Sequence, residues 1–543
     1  VTSPGEEGSP ERPICILAEA PANHEMKAKR PLVGPSGEIF NDCLHAAGIA
    51  RHQCYILNIW PFQIYKDKQE NFVCNNRVLY THRHGFTDDG LEAARGQMEK
   101  LHACRSNIVI GLGRPALTVL SGDHKKPIMK WRGSPLWSEK FDRKYIPTIH
   151  PAATLHGVYV WRYLIQTDFA KAALEMDKPH LELPHRELLV SPGLGDVRSF
   201  MADCKEAGRF ATDIEVMNHQ VSCFSMAFRK DLALTVPFVN KEGAPYWDED
   251  DEALIWKWYA ELMGDEEVMK VNQNIIGFDT PFLFSQNNIH TKGPIGDTMI
   301  AQHILYPHFK KGLDFIASYH TREPYWKDDG KIWKRIDIPW EVFQRYCGKD
   351  SAVALEAWDI LSAELTQGGF WPTYNMTAEM VDALTYMSVC GLPVDKDGLE
   401  RTKVELEQTI AERQASLDEI TGGLNVSSPK QCREYFYGKL GIKPYISAAG
   451  GISTDDKTMS RIARRAIKGS REAKLVQEIR SLRKLKGTYI DVQLDSDNRL
   501  RCSWNPRGTW TGRLSSSKTI FGTGMNLQNL HPSFKGFIVG GDQ

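Results

Sequence analysis

The eleven cysteines of this 543-residue chain include no C-x-x-C pair. Zinc ribbons and small disulfide frameworks need paired spacing, so buried reduced thiols are expected instead. Long apolar runs are missing too, and nothing approaches the roughly 18 residues that span a bilayer. The Ser-, Gly-, Glu- and Pro-rich start, residues 1–13, has no apolar stretch of the kind a secretory signal carries, and reads as a disordered tail on a cytoplasmic protein. Net charge is almost absent: 67 Lys and Arg face 68 Asp and Glu, so only the distribution of charge bears on a nucleic-acid partner. With about 150 residues per domain as a prior, the length implies roughly three domains, and 42% hydrophobic residues supply a core for each.

What is present is a spaced set of acids. Ala211-Thr212-Asp213-Ile214-Glu215-Val216 reads as a strand, on which alternate side chains share a face, so Asp213 and Glu215 point together. Two crowded carboxylates repel unless a cation lies between them, and hard divalent ions such as Mg²⁺ take this kind of oxygen site. Alone, such a pair is more often a solvated face. Downstream, the segment 274–279 adds Asp279, and Tyr346-Cys347-Gly348-Lys349-Asp350 adds a fourth acid that shares a helix face with Tyr346. Four carboxylates suffice for two metal ions, which together stabilise the attacking and leaving oxygens of a phosphodiester. Tyr346 would orient or deprotonate the water. The order and spacing of these motifs resemble the DEDDy class of 3′→5′ exonucleases, the proofreading fold of family A DNA polymerases. The resemblance implies a ribonuclease H-like exonuclease domain over residues 185–368. In it Asp213, Glu215, Asp279 and Asp350 hold two Mg²⁺ or Mn²⁺ ions, with Tyr346 beside the water. Asp297, ahead of the apolar run 299–305, reads as a helix cap.

Residues 14–184 alternate apolar runs (14–18, 55–58, 108–111, 146–150) with helical stretches (38–47, 91–104, 115–120), the pattern of a parallel sheet covered by helices. Ligands of such sheets bind at the carboxyl ends of the strands, where Glu19, Asn58 and His150 fall. The motifs Glu19-Ala20-Pro21-Ala22-Asn23-His24-Glu25, Arg30-Pro31-Leu32-Val33-Gly34, Tyr55-Ile56-Leu57-Asn58 and His150-Pro151-Ala152-Ala153 resemble those of uracil-DNA glycosylases. The nearest likeness is to the microbial branch that carries an iron–sulfur cluster. This implies a parallel three-layer α/β/α sandwich, with Asn58 reading a flipped base, His150 stabilising the uracil anion and Glu19 or Glu25 near the sugar. Leu32 stands where the family has a stacking phenylalanine, Ala18 and Ala22 replace glycines, and the N-terminal cysteine pair is missing. No iron–sulfur cluster is therefore expected, and DNA binding is preferred over uracil excision, which stays open.

From 428 to 486, fifteen Lys and Arg face five Asp and Glu. Singly each is an ordinary solvated residue; gathered in one helical block they favour phosphate contact. Asn425-Val426-Ser427-Ser428-Pro429-Lys430-Gln431, Thr511-Gly512-Arg513-Leu514-Ser515-Ser516 and Asn526-Leu527-Gln528-Asn529 resemble the thumb and palm entry of family A DNA polymerases, the family of bacterial DNA polymerase I. The resemblance implies a mostly helical thumb and an incomplete palm over 369–543. Lys430, Arg513, Ser515, Ser516, Asn526 and Gln528 would contact primer–template DNA, and Asp542 would ligate Mg²⁺. The fingers and the second palm Asp would follow Gln543, so polymerisation is expected only with a C-terminal partner fragment. The favoured reading is a naturally split, phage-type polymerase working in the cytoplasm of a bacterium or bacterial host, whose own activity is 3′→5′ removal of nucleotides from DNA ends. An RNA-trimming exonuclease of the same fold and a catalytically silent DNA-binding scaffold are the alternatives.

Overall fold

The computed structural model describes residues 2–332, 335, 337–447 and 450–540. These form two compact units: Val1–Ile275 with Asn288–Glu379, and Ile276–Asn287 with Met380–Gln543.

The first unit holds two sheets. In one, the strands Cys54–Asn58, Ile14–Ala18, Ile108–Leu112 and Arg143–Thr148 lie side by side in that order and all run parallel. Every residue of Ile14–Ala18 is buried, as expected of a parallel strand covered on both faces. Its side chains alternate between two cores. Ile14, Ile16 and Ala18 join Phe40 and Phe169 from the helices Pro35–Ala46 and Trp161–Ala173, while Cys15 and Leu17 join Ala94, Leu101 and Leu117 from Asp88–Ala103 and Gly113–Ser121. Three layers result, in the arrangement that the alternating pattern implies. The last strand stops at Thr148, so His150 sits beyond it and caps the turn Pro151–His156.

The start of the chain differs from the unstructured tail that its composition suggests. Glu6–Glu7 pairs antiparallel with Cys54–Asn58, and Thr2–Ser3 pairs with Glu6–Glu7. Gly5 explains the fit: a methyl group there would lie 2.6 Å from Pro61 Cβ, closer than packing allows. Backbone pairing of this kind depends on an available sheet edge, which composition does not record.

The second sheet has the order Glu187–Leu189, Leu232–Pro237, Gln220–Arg229, Arg209–Met217, Met269–Asn272, Ile295–Asp297. Arg209–Met217 is central, antiparallel to Gln220–Arg229 on one side and parallel to Met269–Asn272 on the other. Asp297 caps the helix Thr298–Leu305, accepting from Met299 N at 2.7 Å and Ile300 N at 3.0 Å. The helix Trp340–Gly368 crosses this sheet, and buried hydroxyls fix its position: Ser225 Oγ donates to Cys347 O at 2.8 Å and Thr235 Oγ1 to Gln344 O at 2.8 Å. Gly348 allows the approach, since a methyl group there would meet Thr235 Oγ1 at 2.9 Å.

The second sheet has a core of its own around Ala211, Ala227 and Val271, but residues that follow it also reach into the first. Phe309 and Phe315 pack into the cluster built on Ile14 and Ile16. A fully buried ion pair sits at the same junction: Arg132 Nε donates to Asp168 Oδ2 at 2.9 Å, Thr148 Oγ1 donates to the same oxygen at 2.6 Å, and Arg132 Nη1 reaches Ser318 Oγ at 3.0 Å.

In the second unit the helix Lys396–Thr421 packs on Ser470–Leu485, and Leu417, Phe436, Met459, Ile462, Val476 and Ile479 form its main core. A smaller cluster gathers Val394, Leu399, Ile490, Leu500 and Phe534. Among the described residues, no helix of either unit is long and apolar enough to cross a membrane.

Removing one partner of a buried ion pair strands the other charge, at a cost of about 3–5 kcal/mol. Asp168→Ala is therefore expected to lower unfolding free energy in urea by that amount; a loss below about 1 kcal/mol would contradict the burial described.

Candidate functional site

The structure brings three of the four predicted acids together. One carboxylate oxygen from each of Asp213, Glu215 and Asp350 lies within 4.8 Å of the others. Asp213 and Glu215 face the same way because they are alternate residues of one strand, opposite Ser225 and Cys223 of its neighbour. A bulge follows between Glu215 and Val216. Asp350 comes from the long helix, one turn beyond Tyr346. Asp350 is buried and the two strand acids are half-buried. Three carboxylates at this spacing suit an oxygen-seeking divalent cation such as Mg²⁺ or Mn²⁺, and these residues would hold it. Asp279 is not part of this cluster. It is the buried first residue of the helix Asp279–Asn287, which belongs to the second compact unit.

Two residues that sequence reasoning missed, Trp326 and Lys327, adjoin the acids. Trp326 Nε1 donates to Asp350 Oδ1 at 2.6 Å, and Lys327 Nζ donates to Asp350 Oδ2 at 2.5 Å and to Tyr346 OH at 3.4 Å. Burial disfavours the Lys327 ammonium, but Asp350, Asp213 and Glu215 outweigh it and raise its pKa above the ordinary lysine value. Burial, then the same three acids, pushes the Tyr346 phenol well above its usual range. Tyr346 is thus a neutral phenol beside the acids, its oxygen accepting from Lys327. Gly330 presses on its ring: a methyl group there would lie 2.7 Å from Tyr346 Cζ. The only sequence hint was a local clustering of aromatic and charged residues.

In the N-terminal sheet the predicted pocket residues have the following surroundings. Glu25 is buried and accepts from the backbone N–H groups of Ala22, Val33 and Gly34 at 3.2, 3.2 and 3.0 Å, which makes it a clamp on its own loop. Asn58 is buried, its side-chain amide donating to Pro4 O at 2.9 Å. His150 Nδ1 accepts from Ala152 N at 3.2 Å, and burial lowers its pKa to about 4 despite the pull of Glu25, so the neutral ring carries its proton on Nε2. Burial raises Glu19 to about 7, with Lys66 opposing. Leu32 lies in the hydrophobic core.

In the second unit four of the predicted DNA contacts form one group. Ser515 and Ser516 lie on the strand Ser515–Ser517, Ser516 Oγ donates to Asn526 Oδ1 at 2.8 Å, and Gln528 Nε2 donates to Leu514 O at 2.9 Å. Arg513 and Lys430 are exposed, Lys430 in the first turn of Pro429–Arg433. Part of the basic block is structural: Arg480 donates to Val426 O and Thr454 O at 2.8 and 2.7 Å, and Lys486 pairs with Glu407 and Asp491, whereas Arg461, Arg464, Arg465 and Lys484 are exposed. Asp542 lies outside the described residues.

Residues 396–533 match the family described as DNA polymerase family A. The C-terminal part of the chain carries family A DNA polymerase homology. Residues 6–164 match the uracil DNA glycosylase superfamily. The DNA polymerase I of Rhizobium leguminosarum is 28% identical over 404 residues, 67% of this chain and 38% of that protein. That of Synechocystis sp. is 30% identical over 289 residues, 50% of this chain and 28% of that protein. The chain thus spans well under half the length of these relatives. A solved structure described as the POL domain of Pol1 from M. smegmatis in complex with DNA primer-template and dNTP is similar at 18% identity and a TM-score of 0.49, covering 64% of this chain and 56% of that one.

Outer contacts of a metal site already cost 10–100-fold in affinity when lost. Asp350→Asn, which removes a ligand, is expected to weaken Mn²⁺ binding in calorimetry by at least about tenfold, and unchanged binding would rule the cluster out as a cation site.

The Glu19 carboxyl should titrate with a midpoint of about 7 by ¹³C NMR. Because its folded pKa lies above the ordinary value of 4.5, its contribution to stability is full below that value and is lost as pH rises through about 7. Glu19→Gln should therefore raise the melting temperature relative to the parent at pH 8 but not at pH 4; equal effects at both would contradict the shift.

Proposed function

We propose that the first unit contains a divalent-metal-dependent 3′→5′ exonuclease acting on DNA ends, in a chain whose C-terminal unit is the thumb and the start of the palm of a family A polymerase. The observation that carries this reading is the convergence of Asp213, Glu215 and Asp350, with Tyr346 one helical turn from Asp350. A sheet in which three antiparallel strands are followed by two parallel ones, with Glu187–Leu189 added at the far edge, crossed by the helix that brings in the last acid, supports the ribonuclease H-like part. The relatives named DNA polymerase I favour DNA over RNA as substrate.

Bound divalent ions would supply charge stabilisation of the attacking and leaving oxygens. The clustered acids account for one ion. Tyr346, neutral and held by Gly330 and Lys327, orients the water by hydrogen bonding. Lys327 adds a fixed positive charge beside a reaction in which negative charge builds on phosphate oxygens. In polymerisation, Arg513, Lys430, Ser515, Ser516, Asn526 and Gln528 would lie on the primer–template. The N-terminal sheet serves DNA binding in preference to base excision, since Asn58 is engaged by Pro4 and Leu32 is in the core.

Asp213→Ala should slow degradation of a 5′-labelled single-stranded oligonucleotide by about 10²-fold or more, a loss on the scale of removing one preorganised electrostatic group. An unchanged rate would end the exonuclease assignment. Uracil-containing DNA should gain no alkali-labile sites in the same reaction.

A further inference from the structure

Segment 321–331 touches both halves of the first unit. At Tyr325 it is fastened to the N-terminal sheet domain. Tyr325 N donates to Ser134 Oγ at 3.1 Å, its ring packs on Trp131 with centroids 5.1 Å apart, and Lys130 lies over the ring and 3.9 Å from Asp328. The next two residues, Trp326 and Lys327, donate to Asp350, and Gly330 presses on Tyr346. Consecutive Cα atoms are about 3.8 Å apart across a trans peptide, so Trp326 and Lys327 stay within two residues of the Tyr325 fastening and feel a backbone shift there. The junction behind is rigid: Arg132 and Lys171 both donate to Ser318, just before the segment, from buried positions.

We infer that residues 130–134 of the glycosylase-like domain position the exonuclease site through this segment, with Tyr325 as the anchor and Trp326 and Lys327 as the positioning residues for Asp350 and Tyr346. This rests on the exonuclease reading. A second fastening competes with it: Glu323 pairs with Arg186 at 2.9 Å and with Lys349 at 3.2 Å, and either could hold the segment without help from the N-terminal domain. Misplacing reacting groups by about 1 Å costs on the order of 10²-fold in rate, so the two fastenings can be told apart by activity.

The test uses the full chain. Trp131→Ala and Tyr325→Ala should each lower the single-turnover rate of 3′-nucleotide release, at saturating Mg²⁺, by tenfold or more. Oligonucleotide affinity measured by anisotropy should stay within twofold. Trp131→Phe, which keeps an aromatic ring on Tyr325, should recover most of the rate. In a Lys327→Met background, which is itself slow, Trp131→Ala should add less than a further twofold. Hydrogen exchange across 324–330 should quicken in Trp131→Ala, a readout independent of catalysis. Parental rates in both alanine variants, effects that multiply with Lys327→Met, or unchanged exchange across 324–330 would overturn the inference. If Asp213→Ala also leaves the rate unchanged, the exonuclease reading has failed, and the exchange result alone decides whether the N-terminal domain holds the segment.

Discussion

Three carboxylates within 4.8 Å of one another repel unless positive charge lies among them or one takes up a proton. At an effective dielectric of about 20 each ionised pair repels by roughly 3 kcal/mol, and the half-buried setting limits what water screens. The fold is arranged to bear that repulsion. Two acids are fixed by strand alternation, the third by a helix pinned to the sheet through Ser225 and Thr235, and an ammonium from Lys327 is held against the third. The positions of the long helix, Tyr346 and segment 321–331 all follow from keeping these charges together.

What could be read without coordinates followed periodicity. Alternation on 209–217 put Asp213 and Glu215 on one face, the four-residue spacing put Tyr346 beside Asp350, and all-apolar runs marked the parallel strands of the N-terminal sheet. What could not be read depends on tertiary placement. Trp326 and Lys327 lie in a segment with no period, and nothing local says that it folds against the acids. Asp279 has the right spacing in the chain, yet its helix groups with the second unit. Glu25 looks like a pocket acid in sequence because a carboxylate that caps three backbone donors uses the same residue type as one that faces a substrate. Arg480, in the basic block named for phosphate contact, turned inward for a similar reason: a guanidinium satisfies buried carbonyls as readily as it meets phosphate.

Motifs and cores divide the chain differently. The glycosylase-superfamily match ends at residue 164, but its hydrophobic cluster continues into Phe309 and Phe315, and its buried Arg132 is satisfied in part by Ser318. A boundary drawn by motif therefore cuts through a shared interior, and the N-terminal domain is a wall of the acid-bearing domain as much as a module of its own.

The grip of Asn58 and Gln97 on the carbonyls of Pro4 and Gly5 has a consequence for any ligand of the N-terminal sheet. The amide that would read a base is already committed to the chain itself, so a base must win it in competition. Observed affinity would then be the intrinsic affinity multiplied by the fraction of molecules in which Asn58 has released the Pro4 carbonyl.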